Sequence, residues 1–186
     1  MIEKASGMTF RDYVANHIFE PAGMTQSGFF AMDQCEPNVA EGADPIEDAQ
    51  GNRVGWKKNI YSYPPIGSPD SGAYVTAPDL DRFLRSVKDG ELISKSLADK
   101  FFTPQLMYKK QEGWDMHYGL GLWFYVEPDG TVICCQKEGY NAGVSAIMRY
   151  FPASDINLVI LSNLADGAWA PAWVIHKEIV ELKGDS

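Results

Sequence analysis

Residues 131–151 read TVICCQKEGYNAGVSAIMRYF. Two runs, Thr131–Lys137 and Gly143–Phe151, have the β-branched and aromatic content of strands. Between them the chain turns polar over Lys137, Glu138 and Gly139. If the first run is a strand, the adjacent Cys134 and Cys135 point to opposite faces. Lys137 and Gly139 then share one face and Glu138 takes the other. A plain strand end explains this polar interval, and so does the rim of an active site.

Outward from this stretch, Tyr118–Val126 and Ile156–Ser162 read as two more strands. EPDG (127–130) is a tight turn with Pro and Gly in favoured positions, and FPASD (151–155) is a second short connection. Such links imply antiparallel neighbours. INLVILS (156–162) is nearly continuous apolar, which predicts a strand covered on both faces. Over residues 168–182, Trp169, Ala172, Trp173, His176, Ile179 and Val180 fall on one helical stripe. Residues 117–186 are therefore expected to form an antiparallel sheet of about four strands with a C-terminal helix packed on it.

Residues 1–105 read as helices and long loops. Thr9 and Asp12 cap a helix whose apolar face is Phe10, Tyr13, Val14, His17 and Ile18, stopped by Pro21 and Gly23. Ile2–Ala5 resemble the last turn of a helix. Thr76, Pro78 and Asp79 start another helix with Leu80, Phe83, Leu84 and Val87 inward, ending at Gly90. Ser94 caps a third, through Leu97, Phe101 and Phe102. Residues 31–75 lack periodicity and are rich in acidic residues, then in Pro, Gly and Ser, which is loop chemistry. The whole, residues 1–186, is expected to be one α+β domain.

The 186 residues suffice for one sizeable core. Apolar residues are 45% and charged residues 22%, with a net charge of −9. That balance offers no basic patch for nucleic acid. No apolar run approaches the roughly 18 residues of a membrane span, and MIEKASGMTF lacks the apolar core of a signal peptide. Composition leaves the compartment open. The three cysteines suggest no disulfide framework. His17, His117 and His176 have no metal-ligand spacing, and neither metal nor cofactor is expected.

The Lys137-Glu138-Gly139 stretch gains meaning from its company. IEKASGMTFRDYVANHIFEPAGMTQSGF, GAYVTAPDLDRFL, YGLGLWF, KEGYNAGVSAIMRYFP and NLVILSN follow one another in this chain. In that order and spacing they resemble the C-terminal half of the β-lactamase-like serine hydrolases, which include class C β-lactamases, penicillin-binding-protein-like peptidases and esterases. The resemblance covers nearly the whole chain and implies part of a β-lactamase-like fold. It sets Lys137-Glu138-Gly139 on the family's third motif, Lys-Thr-Gly or His-x-Gly. It implies that Lys137 lends positive charge, Gly139 gives access and the Tyr140 backbone N–H serves an oxyanion. Glu138, Asn141, Tyr61, Tyr63 and Gly72 become candidate cleft residues. Trp114, Trp123 and Tyr125 line a cleft or pad a core. Glu138 stands where the family has Thr or a small residue, and Tyr140 where Gly is frequent, so both are expected to crowd the pocket.

The family's nucleophile lies in Ser-x-x-Lys, assisted by Tyr-x-Asn or Ser-x-Asn. None of these motifs occurs in the 186 residues. The resemblance places both N-terminal to Met1. The expectation is a piece of a serine hydrolase, inactive alone, whose parent takes a small-molecule or peptide substrate. The alternative is a non-catalytic binding or scaffold module. Either way the strand 156–162 is expected to have a free apolar edge, favouring a homo-oligomer or association with a missing N-terminal half.

Overall fold

A computed structural model of the chain describes residues 1–59 and 65–182. The helices are α1 (Ile2–Ser6), α2 (Phe10–Val14), α3 (Ala77–Asp89), α4 (Lys95–Phe101) and α5 (Trp169–Glu181). The strands are β1 (Ala43–Glu47), β2 (Arg53–Lys58), β3 (Leu106–Lys110), β4 (Asp115–Tyr118), β5 (Trp123–Val126), β6 (Val132–Asn141), β7 (Val144–Phe151) and β8 (Ile156–Ser162). β1 and β2 form a hairpin; β3 to β8 form one six-stranded sheet in sequence order, all neighbours antiparallel. The α+β class and the meander topology follow the sequence.

Six strands replace the expected four. The expected strand Tyr118–Val126 is two, because Gly119–Leu122 turns the chain: Gly121 adopts φ 87°, and Gly119 N–H donates to Leu122 C=O at 2.9 Å. β3 went unanticipated because all five of its residues are exposed, leaving no burial period to read. The loop expected over 31–75 contains the β1–β2 hairpin. The sheet therefore begins at Leu106, and the first 105 residues are more than helices and loops. The first helix is also not uniform. α2 passes into a π-helical turn, Ala15–Phe19, which leaves His17 exposed and stacked on Tyr13 at 4.3 Å instead of buried.

Three caps behave as their side-chain chemistry dictates. Thr9, Thr76 and Ser94 hydroxyls accept from the backbone N–H of Asp12, Asp79 and Leu97. Asp79 is fully buried and does more than cap. Its carboxylate accepts from Gln26 N–H, Ser27 Oγ and Arg82, tying the 24–28 loop to α3.

The sheet packs on both faces. On one side Tyr125, Cys134, Phe151 and Leu158 meet Ile179 of α5. On the other, Leu122, Phe124, Val126 and Cys135 meet Phe101 and Phe102 around α4. Cys134 and Cys135 thus go to opposite cores, both buried and both free. α5 buries Ala172 and Ile179 as expected, but Trp173 remains 39% exposed, stacked on Tyr125 at 5.7 Å. β8 is covered on both faces for most of its length, and Leu161 emerges at 37% exposure near its end. Its outer edge has no strand partner among the described residues. α3 lies against β8, with Asn157 Nδ2 donating to Asp81 at 2.7 Å and Lys88 paired to Asp155.

Candidate active site

The polar interval of the sequence is not a strand end. β6 continues through Lys137, Glu138, Gly139 and Tyr140 to Asn141, where a two-residue turn leads into β7. It continues because β7 pairs every residue of it: Lys137 opposes Met148, Glu138 opposes Ile147, Gly139 opposes Ala146, Tyr140 opposes Ser145 and Asn141 opposes Val144.

On its other side β6 loses its neighbour. β5 begins at Trp123, which pairs Gln136, and nothing in β5 extends past that point. The backbone direction there is fixed by the hairpin. A two-residue turn closes on a hydrogen-bonded pair, here Asn141–Val144, and hydrogen-bonded and non-hydrogen-bonded pairs then alternate. Lys137, Gly139 and Asn141 therefore bond to β7, and the N–H and C=O groups of Glu138 and Tyr140 point the opposite way, past the start of β5. Among the described residues no backbone hydrogen bond from Glu138 or Tyr140 is made outside the β6–β7 pairing.

Side chains alternate over this open edge. Lys137 and Gly139 share a face, and Lys137 is exposed. A Cβ on Gly139 would meet only Ala146 Cβ, at 3.9 Å. Its φ is not in the left-handed region. Neither crowding nor backbone strain demands glycine here, and the bare Cα leaves open space beside the lysine. Glu138 and Tyr140 project on the α5 face instead. Tyr140 is 71% exposed, and Glu138 accepts from Gln136 Nε2 at 3.2 Å. Their side chains lie on the face opposite Lys137, because the strand period of two sends them across the sheet.

A buried chain underlies this segment. Arg149, 1% exposed, donates from Nε and Nη2 to Gln136 Oε1 at 2.9 and 2.6 Å, and from Nη1 to the Ala172 carbonyl at 3.4 Å. Its guanidinium also lies 4.8 Å from the Trp173 ring centre and 5.7 Å from that of Tyr125. No carboxylate pairs with it among the described residues; hydrogen bonds and aromatic faces carry the charge. Ser145, opposite Tyr140, is also buried, donating to Leu164 C=O and accepting from Ala168 N–H.

The β1–β2 hairpin adjoins the same end of the sheet. Gly143, in the β6–β7 turn at φ 66°, approaches Gly42 and Ala43 so closely that a Cβ would come within 3.0 Å of their backbone. Ala43 N–H donates to Asn163 C=O, and Asn163 Nδ2 to Glu41 C=O. Sequence reasoning missed this docking; Gly143 was its one visible signal.

The other expected residues divide. Gly72, at φ 96°, sits in a tight turn against Gly67, which packs on Phe29 and accepts from Arg11. Tyr61 and Tyr63 lie outside the described residues. Trp114 and Tyr125 stack at 4.3 Å within the core beneath α5. Trp123, by contrast, stands at the open end of β5 between Tyr108 and Tyr118, at 5.0 and 4.6 Å. His176 is half-buried. Burial, reinforced by the Arg149 charge, pushes its pKa down to about 4, so it is neutral near pH 7. Burial pushes the Cys134 and Cys135 thiols up to about 12. Among the described residues no three His, Cys, Asp or Glu side chains gather to hold a metal ion, and no helix is long and apolar enough to cross a membrane.

The chain as a whole is similar to known proteins. The Beta-lactamase family model matches residues 1–178. PbpX of Bacillus subtilis (strain 168), named as a penicillin-binding protein, is 33% identical over 172 residues; the match takes in 90% of this chain and 38% of PbpX. A penicillin binding protein from Bacillus halodurans superposes with a TM-score of 0.83 at 34% identity, over 95% of this chain and 52% of its own. An octameric penicillin-binding protein homologue from Pyrococcus abyssi superposes at 0.78 with 26% identity, over 98% of this chain and 40% of its own. The chain thus spans between about two fifths and half of the length of these relatives.

Proposed function

Since the chain belongs to the beta-lactamase family, whose members are serine hydrolases, we propose that it forms the C-terminal wall of an enzyme that cleaves an amide or ester through an acyl-enzyme. The observation that carries this reading is the open edge of β6. Past Trp123 the strand offers unpaired backbone groups, a lysine and an uncrowded glycine on one face. A substrate, small molecule or peptide, lies along that edge as an added strand. Lys137 supplies positive charge toward the attacking oxygen or a substrate anion. Gly139 admits the substrate, and the Tyr140 N–H, aimed outward, donates to the oxyanion as the tetrahedral intermediate forms. Asn141 closes the rim. The Ser-x-x-Lys nucleophile and its Tyr-x-Asn partner are absent from these 186 residues, and a further segment of polypeptide supplies them.

The test is labelling by a serine-directed fluorophosphonate. The 186-residue chain alone stays unlabelled. A chimera that places before it a segment bearing Ser-x-x-Lys and Tyr-x-Asn labels at the motif serine, and Lys137→Ala suppresses that labelling. Stoichiometric labelling of the chain alone, or a chimera indifferent to Lys137→Ala, contradicts the reading.

The edge of β8 favours a second reading, a non-catalytic module that assembles through strand pairing. Asn157, Val159 and Leu161 present their backbone groups outward, with no charge, proline or bulge along the strand. In this reading the free edge takes a second copy of the chain. A monomer at high concentration in gel filtration contradicts it.

A further inference from the structure

Building on the reading that a substrate lies along the open edge of β6, we infer that Glu138 selects an amine-bearing substrate, an extended peptide or amide with a positive charge on the α5 face. A chain laid along β6 alternates its substituents as β6 does. One set falls beside Lys137 and Gly139, and the intervening set falls beside Glu138 and Tyr140. The two faces carry opposite charges.

Glu138 is exposed, and no Lys or Arg reaches ion-pair distance of it among the described residues. It is nevertheless held in place. Arg149 fixes the carbonyl oxygen of Gln136 with two hydrogen bonds, which turns the Gln136 amide nitrogen to Glu138. Arg149, the cation on the same face, is thus engaged in positioning Gln136, and the Glu138 carboxylate retains lone pairs for a ligand. Tyr140 stands two residues along on the same face. Trp123 lies directly across from Gln136, on the β5 strand where the open edge begins. A lysine-like substituent would set its ammonium on Glu138 with aromatic rings at either side of its stem. An anionic substituent in that position would meet like charge.

The experiment uses the 186-residue chain, ¹⁵N-labelled, titrated with two blocked pentapeptides, acetyl-Ala-Ala-Lys-Ala-Ala-amide and its Nε-acetyl-lysine counterpart. Both are expected to move the Glu138 and Tyr140 amide resonances. The lysine peptide binds about three- to five-fold more tightly, the range of an exposed ion pair. Glu138→Gln removes that preference, and raising the ionic strength to about 0.5 M narrows it. Equal binding of the two peptides overturns this inference and leaves the open-edge reading standing. No shift with either peptide overturns both.

Discussion

The inner half of β6, Val132 to Gln136, pairs with β5, and at Cys135 and Gln136 with β7 as well; the outer half, Lys137 to Asn141, has β7 alone. The inner half buries Cys134, Cys135 and Gln136 at 4% exposure or less, and the outer half exposes Lys137, Glu138, Gly139 and Tyr140. One strand therefore serves two ends. Its inner half holds two cores together through side chains on both faces, and its outer half contributes backbone and charge to whatever lies beside it. Substitutions should separate these roles, with large effects on folding inside and small ones outside.

The widest contrast is in thiol chemistry. Cys35 is exposed, and Cys134 and Cys135 are buried on the inner half. In a maleimide time course Cys35 labels at once, and the other two wait for unfolding, slower by about a thousand-fold or more. Rapid labelling of all three would erase the distinction between the halves.

Next comes Gln136→Leu. It strips the buried Arg149 guanidinium of its hydrogen-bonded acceptor and is expected to cost about 3 kcal/mol, read as a lowered urea midpoint. The same measurement on Lys137→Ala should move by less than about 0.5 kcal/mol.

Acid sharpens the contrast from the α5 side, where His176 faces Arg149 and packs near Cys134 and Phe151. Its folded pKa, about 4, lies below the ordinary 6.5. Between those values the unfolded chain binds a proton that the native ring refuses. Stability is therefore full above pH 6.5 and falls as pH drops toward 4. His176→Phe should flatten that decline in melting temperature. The lowered carboxyls of Asp81 and Asp155 act only below about pH 4. The effect of Gly139→Ala on folding is expected to be as small as that of Lys137→Ala, within about 0.5 kcal/mol of zero, since the methyl meets only Ala146. Its signature is lost labelling of the chimera at unchanged stability.

Much of this was legible in the sequence where local rules govern. The capping hydroxyls, the opposed cysteines and the shared face of Lys137 and Gly139 follow from helix and strand periods alone. The β1–β2 hairpin was not legible. Pro45 interrupts its first strand's pattern, and contacts from Gly143 and Asn163, far away in the chain, hold its base. β3 carries no alternation because neither of its faces is buried. The Gly119–Leu122 turn hid within an apolar run because Leu120 and Leu122 kept the composition of a strand. The role of Gln136 was invisible because it depends on Arg149, thirteen residues away and across the sheet.

The open edge of β6 is most directly tested by amide hydrogen exchange on the 186-residue chain, residue by residue. Slow exchange at Lys137, Gly139 and Asn141, alternating with fast exchange at Glu138 and Tyr140 beyond a uniformly protected Cys134–Gln136, is the predicted pattern. Protection of Glu138 and Tyr140 equal to that of their neighbours would mean the edge is already covered, and the account of a half-built cleft would be wrong.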